Sequence, residues 1–100
     1  MLLKITYRTN KLKKVCTEFG QAQKEYGKNM AVKIHQRIAE ISSADSIEQL
    51  VKFSIGGCHV LHGNRDGQFA MDLEQPFRLI IAKDKEKIVC AKIEEIVDYH

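Results

Sequence analysis

The sequence predicts a single α+β domain in which two N-terminal helices pack on a curved antiparallel sheet of about five strands. Three observations predict it. Apolar residues recur with a helical period between residues 10 and 41, and the period becomes two after Gly56. Turn signals then follow at short, regular spacing, as antiparallel neighbours require. Finally, a chain of 100 residues with 44% hydrophobic and 29% charged side chains can build one core without disulfides or a structural metal.

Taken in order, Leu3, Ile5 and Tyr7 alternate with Lys4 and Thr6, the pattern of a half-buried strand, expected at an edge of the sheet. Thr9 or Asn10 can cap a first helix, because Leu12, Val15, Cys16 and Phe19 then recur at helical spacing and Ala22 and Tyr26 extend the stripe. Gly20 is costly inside a helix and is expected to bend or break this one, while Gly27 stops it. Over residues 29–41, Met30, Ile34, Ile38 and Ile41 share one face and Lys33, Arg37 and Glu40 another; Ser42 and Ser43 close this second helix. The pair forms an αα-hairpin whose apolar faces need a sheet to cover. Asp45 or Ser46 caps a short last turn carrying Ile47, Leu50 and Phe53. Strands are expected at 58–61, 68–73, 77–82 and 89–99, joined by polar turns at 63–67, 74–76 and 84–87. No linker or repeat interrupts the chain, so residues 1–100 form one domain.

Composition excludes several classes. No apolar run approaches a membrane span, and Met1-Leu2-Leu3-Lys4-Ile5 lacks the features of a signal peptide. The expected location is the cytoplasm, with no membrane partner. Cys16, Cys58 and Cys90 are odd in number, widely spaced and flanked by apolar residues, which reads as buried thiols in a reducing compartment. The formal charge of +3 is concentrated: residues 1–37 carry nine Lys or Arg against Glu18 and Glu25, a balance of +7. Such a block either meets a polyanion or is a solvated helix face.

Few residues can carry chemistry. His59 and His62 follow Cys58, but residues three apart on a strand point to opposite faces, so no metal is assigned to them. His35 is expected on the exposed side of the second helix. Arg78 interrupts the apolar strand Phe77-Arg78-Leu79-Ile80-Ile81 and points away from Phe77, Leu79 and Ile81; it either pairs with Asp72 on the neighbouring strand or meets a phosphate. Arg65 at a hairpin tip reads as an ordinary charged turn. Asp98-Tyr99-His100 ends a strand anchored by Ile93, Ile96 and Val97, and it is either a frayed tip or a functional edge. An imidazole both takes and gives a proton near neutrality. Brought together by the sheet, His59, Arg78 and this ending would offer a proton acceptor, a proton donor, a fixed cation and an aromatic surface, the roles that RNA cleavage needs. Strand alternation nevertheless sets Asp98 and His100 on one face and Tyr99 on the other.

These residues resemble the HigB-like toxins, or plasmid maintenance killer proteins, of the RelE/ParE type II toxin-antitoxin superfamily. The resemblance spans almost the whole chain. It rests on Lys11-Leu12-Lys13-Lys14, on the run from Cys58 and His59 through His62, Arg65 and Gly67 to Phe69, on Pro76-Phe77-Arg78-Leu79-Ile80, and on Glu95-Ile96-Val97-Asp98-Tyr99-His100. It implies a RelE-like fold and a ribosome-dependent mRNA endonuclease, an mRNA interferase working without metal or cofactor. It also implies a cognate helix-turn-helix antitoxin of the HigA type, through which alone the toxin reaches operator DNA. By position it implies catalytic roles for His59, Arg78, Asp98, Tyr99 and His100, and contact with mRNA and the ribosome for Lys11, Lys13, Lys14, His62 and Arg65. His62 departs from relatives that carry lysine there. Two other functions fit the superfamily: a non-enzymatic, ParE-like gyrase inhibitor, and a degenerate toxin that acts only with its antitoxin in operon repression.

Overall fold

The computed structural model describes residues 2–84 and 90–98. The first strand, β1 (Lys4–Tyr7), leads into helix α1 (Asn10–Thr17), which is capped by Thr9: its Oγ1 accepts a 3.1 Å hydrogen bond from the Leu12 amide. The expected first helix is split, but at Glu18 rather than Gly20. Glu18 is extended (φ −116, ψ 108) between α1 and α2 (Phe19–Tyr26). The Thr17 hydroxyl donates to the Lys13 carbonyl at 2.6 Å, a local bond that competes with the helical ladder at this point. Gly20 falls in the first turn of α2. Gly27, at φ +89, ends α2 and admits α3 (Lys28–Ser43), a turn that favours a residue without Cβ. Ser46 then caps the short helix α4 (Ile47–Lys52), its Oγ accepting from the Gln49 amide at 3.1 Å.

After a 3-10 turn over Ile55–Gly57, the strands β2 (His59–Val60), β3 (Gln68–Asp72), β4 (Phe77–Lys83) and β5 (Cys90–Asp98) complete a five-stranded sheet of order β1-β5-β4-β3-β2. The meander from β2 to β5 is antiparallel, as its short connections predict. The first strand lies at an edge, as expected, and there β1 pairs with β5 in parallel. A parallel neighbour requires a long crossover, and the helices with the intervening strands supply it. Pairing of β4 with β5 runs from Phe77↔Asp98 to Ile80↔Glu95 and resumes at Ile81↔Ile93, so Glu94 is the extra residue of a bulge.

The four helices of the described residues lie on one side of the sheet. There Met71, Leu79, Ile81 and Ile93 pack with Val15, Ile34 and Leu50 in the main core. Ala70, Ile80, Leu61 and Val97 make a second, smaller apolar cluster on the other side. Two helix residues read as exposed are not. Arg37 is buried, its Nε donating to the Asp72 carbonyl at 2.6 Å and its Nη1 to both Glu40 oxygens at 2.9 and 3.1 Å. His35 is half-buried against Phe19, edge to face at 5.4 Å, and among the described residues its enclosed Nε2 makes no hydrogen bond. All three cysteines are free and buried. No described helix is long and apolar enough to cross a membrane.

Candidate active site on the open face of the sheet

Register determines which side chains share the face that the helices leave open. Residues directly opposite in paired strands project to the same side. His59 pairs with Ala70, Ala70 with Ile80 and Ile80 with Glu95, which makes one row across four strands. The next row runs from Asp72 to Arg78 to Val97. Because Ala70, Ile80 and Val97 belong to the outer cluster, His59 and Arg78 both stand on the open face. They are two strands apart and one row apart, about 12 Å between Cα atoms from ideal strand spacings, a gap that the two side chains can close around one phosphate.

Each is held by near neighbours. Arg78 Nε lies 3.2 Å from Asp72 Oδ1, and its Nη1 reaches the Phe77 carbonyl at 3.1 Å and Gln75 Oε1 at 3.4 Å. The structural partner expected for Arg78 is therefore present. His59 is exposed, with Nδ1 2.9 Å from the Gly57 carbonyl. Its neighbour Cys58 is buried, and burial pushes the thiol up to about 11, so it is protonated at neutral pH. Burial likewise pushes Cys16 up to about 12. Asp98 is a different case: it pairs with Phe77, which packs edge to face on Tyr26 beneath the helices, so alternation sets Asp98 on the helix side while Val97 and Arg78 stand outside. Within the described residues, the gathering of His59, Arg78 and the chain's ending is thus realised for the first two and not for Asp98. Tyr99 and His100 lie outside the described residues.

The basic residues divide in the same way. Arg65 is not a loose hairpin tip: the segment after β2 folds back over the outer cluster, and Arg65 Nη1 meets Glu95 Oε1 at 2.6 Å and Gln68 Oε1 at 3.0 Å. His62 is exposed at the head of the 3-10 turn Gly63–Arg65. Lys13 and Lys14 are exposed on α1, and Lys11 pairs with Glu25 at 3.5 Å. Lys11 also borders a cleft of about 260 Å³, lined with Arg8, Leu12, Tyr26, Glu95 and Ile96, along the part of β5 that outruns β1. Burial, followed by the Glu25 charge, raises the Tyr26 phenol above its ordinary value, so it is protonated at neutral pH. No group of three or more His, Cys, Asp or Glu suited to a metal occurs among the described residues.

Sequence reasoning overlooked Gly57 and Arg37, which meet Asp72, and Glu40, which pairs with Arg37. The Gly56-Gly57 doublet just before a strand was the available signal, since paired glycines there mark a close approach of backbone to another group.

No protein-family model matches the chain, and no curated protein sequence matches it. Solved structures do. A chain of the YoeB-YefM complex from Staphylococcus aureus is similar over 100% of this chain and 99% of its own, with a TM-score of 0.63 and 21% identity. A chain of a heterotetrameric YoeB-YefM toxin-antitoxin complex from the same organism is similar over the same shares, with a TM-score of 0.55 and 19% identity. At these identities the likeness establishes the fold: the four helices and five-stranded sheet of this chain are the fold of a chain in the YoeB-YefM complexes.

Proposed function

We propose that the chain is the toxin of a type II toxin-antitoxin system, HigB-like in sequence, which cuts mRNA on the ribosome and is neutralised by a cognate helix-turn-helix antitoxin. The observation that carries this reading is the end-to-end likeness to chains of toxin-antitoxin complexes, joined to a histidine and an arginine on the open face of the sheet. Fold likeness by itself does not fix an activity; the side chains must supply one.

The reaction is transesterification. An imidazole removes the 2′-OH proton, the 2′-oxygen attacks phosphorus, the bond from phosphorus to the 5′-oxygen breaks, and a second acid returns a proton to that oxygen. The products are a 2′,3′-cyclic phosphate, or its hydrolysed form, and a 5′-hydroxyl. His59 and His100 are the proton carriers, and Arg78 neutralises the phosphorane. Asp98 stands on the helix side, away from His59, so the imidazole it charges or orients is that of His100, and Tyr99 holds a base. Lys11, Lys13, Lys14 and His62 meet RNA through its phosphates. Arg65 is tied to Glu95 and needs that pair broken to join them.

Induction in bacteria without antitoxin, with pulse labelling of protein and DNA synthesis and mapping of mRNA ends, tests the reading. Expected is early loss of protein synthesis with cut mRNA, abolished by His100→Ala while folding and antitoxin binding persist. Early loss of DNA synthesis with intact translation points instead to gyrase. Absence of toxicity leaves only a repressor partner, and full cleavage by His100→Ala removes that residue from the chemistry.

A further inference from the structure

We infer that Gly57 and Asp72 form a positioning device that sets the His59 ring and the Arg78 guanidinium together. The inference rests on the reading of His59 and Arg78 as the groups that act on RNA. The device lies at one turn of backbone. Gly57 ends the 3-10 turn before β2 with φ +71, and two residues later His59 returns its ring so that Nδ1 lies 2.9 Å from the Gly57 carbonyl. A carbonyl oxygen only accepts. Nδ1 therefore carries the proton, and on this exposed ring Nε2 is the nitrogen left to take a proton from, or give one to, a substrate oxygen.

The other side of the same residue holds the arginine. Counting back from His59↔Ala70 places Gly57 opposite Asp72, and the Asp72 carboxylate occupies the space a side chain would need: a Cβ at Gly57 would meet Asp72 Cγ at 2.8 Å. Lying over Gly57 on one side and 45% exposed on the other, the carboxylate meets Arg78 Nε at 3.2 Å. Asp72 is fixed through its backbone as well, since buried Arg37 donates to its carbonyl at 2.6 Å. The order of support runs from Glu40 and Arg37 on α3, through Asp72 and Gly57, to the two side chains on the open face.

An aspartate beside an arginine also weakens the field that attracts phosphate, and this separates positioning from simple charge. If Asp72 only neutralised Arg78, Asp72→Asn would tighten RNA binding. As a positioning residue its loss lowers kcat instead, because a misdirected guanidinium still attracts the strand but misses the developing charge.

The test combines spectra of the free protein with cleavage of ribosome-bound mRNA. Nitrogen-15 spectra of the wild type are expected to show the Nδ1–H tautomer of neutral His59 and slow exchange of the Arg78 Nε proton, the latter faster by about tenfold or more in Asp72→Asn. Cleavage by Asp72→Asn is expected to fall about tenfold or more in kcat without a rise in KM. The same substitution in an Arg78→Ala background is expected to cost nothing further, as coupled residues require. An Nε2–H tautomer in the wild type, unaltered exchange of the Arg78 proton, or an equal loss in both backgrounds would overturn the proposal. The spectra need no substrate, so a chain inert toward RNA sinks the function and leaves the positioning to be decided by them.

Discussion

Removing the Glu40 carboxylate tests the clamp under the open face most directly. Arg37 is only 7% exposed, and its cation is compensated by the two Glu40 oxygens and the Asp72 carbonyl. Glu40→Ala leaves the guanidinium with the carbonyl alone. Breaking a fully buried pair costs about 3–5 kcal/mol. The Glu40 side chain is 26% exposed, so water enters at that end and the expected cost falls to about 2 kcal/mol. For a domain of this size the Tm should drop by about 8–16 °C.

The sign of a second substitution isolates the cause. Arg37→Met by itself strands the Asp72 carbonyl, at about 1–3 kcal/mol. Added to Glu40→Ala, it also removes the stranded cation, so the double variant should be less destabilised than the sum of the singles. Urea unfolding followed by circular dichroism reads all four proteins. A cost under about 0.5 kcal/mol for Glu40→Ala, or strict additivity, would show that Arg37 does not depend on Glu40.

Leu79 is fully buried on the inner face of β4, and Leu79→Ala should cost about 2–5 kcal/mol in the same assay; a loss under about 1 kcal/mol would mean that the core collapses around the gap. Alkali should also unfold the protein. Burial raises Cys16 from 9.0 to about 12 and Cys58 from 9.0 to about 11, so the unfolded chain gives up protons that the folded one keeps. The stability they contribute is intact below pH 9 and is lost as pH rises from there through the folded values. Tyr7 and Tyr26, also raised by burial, act in the same direction. Tm should fall steadily above pH 9. A flat profile there, or thiols titrated by a disulfide reagent in the native protein, would contradict the burial argument.

Much of the fold was legible because its elements are local. The Thr9 and Ser46 caps, the stop at Gly27, the stripe through Met30, Ile34 and Ile41, and the four meander strands follow from short-range periodicity and turn chemistry. The break at Glu18 was harder to place, since a glycine's cost is visible in sequence whereas the bond from Thr17 to the Lys13 carbonyl is not. The parallel pairing of β1 was not legible either, because alternation is identical in both directions of pairing.

The candidate site divides along the same line. The amino-acid order alone singles out His59, Arg78 and the Asp98-Tyr99-His100 ending as candidates, and it sends Arg78 away from the face of Phe77, because a strand's alternation is a property of its own backbone. What each described residue faces follows from the packing of distant elements. Register across four strands set His59 and Arg78 in neighbouring rows and carried Asp98 to the helix side. Folding also turned Arg65 inward to Glu95, buried Arg37 beneath Asp72, and gave Gly57 a role shared by two side chains. Those contacts join residues far apart in sequence, and their partners are set by the packing of whole elements.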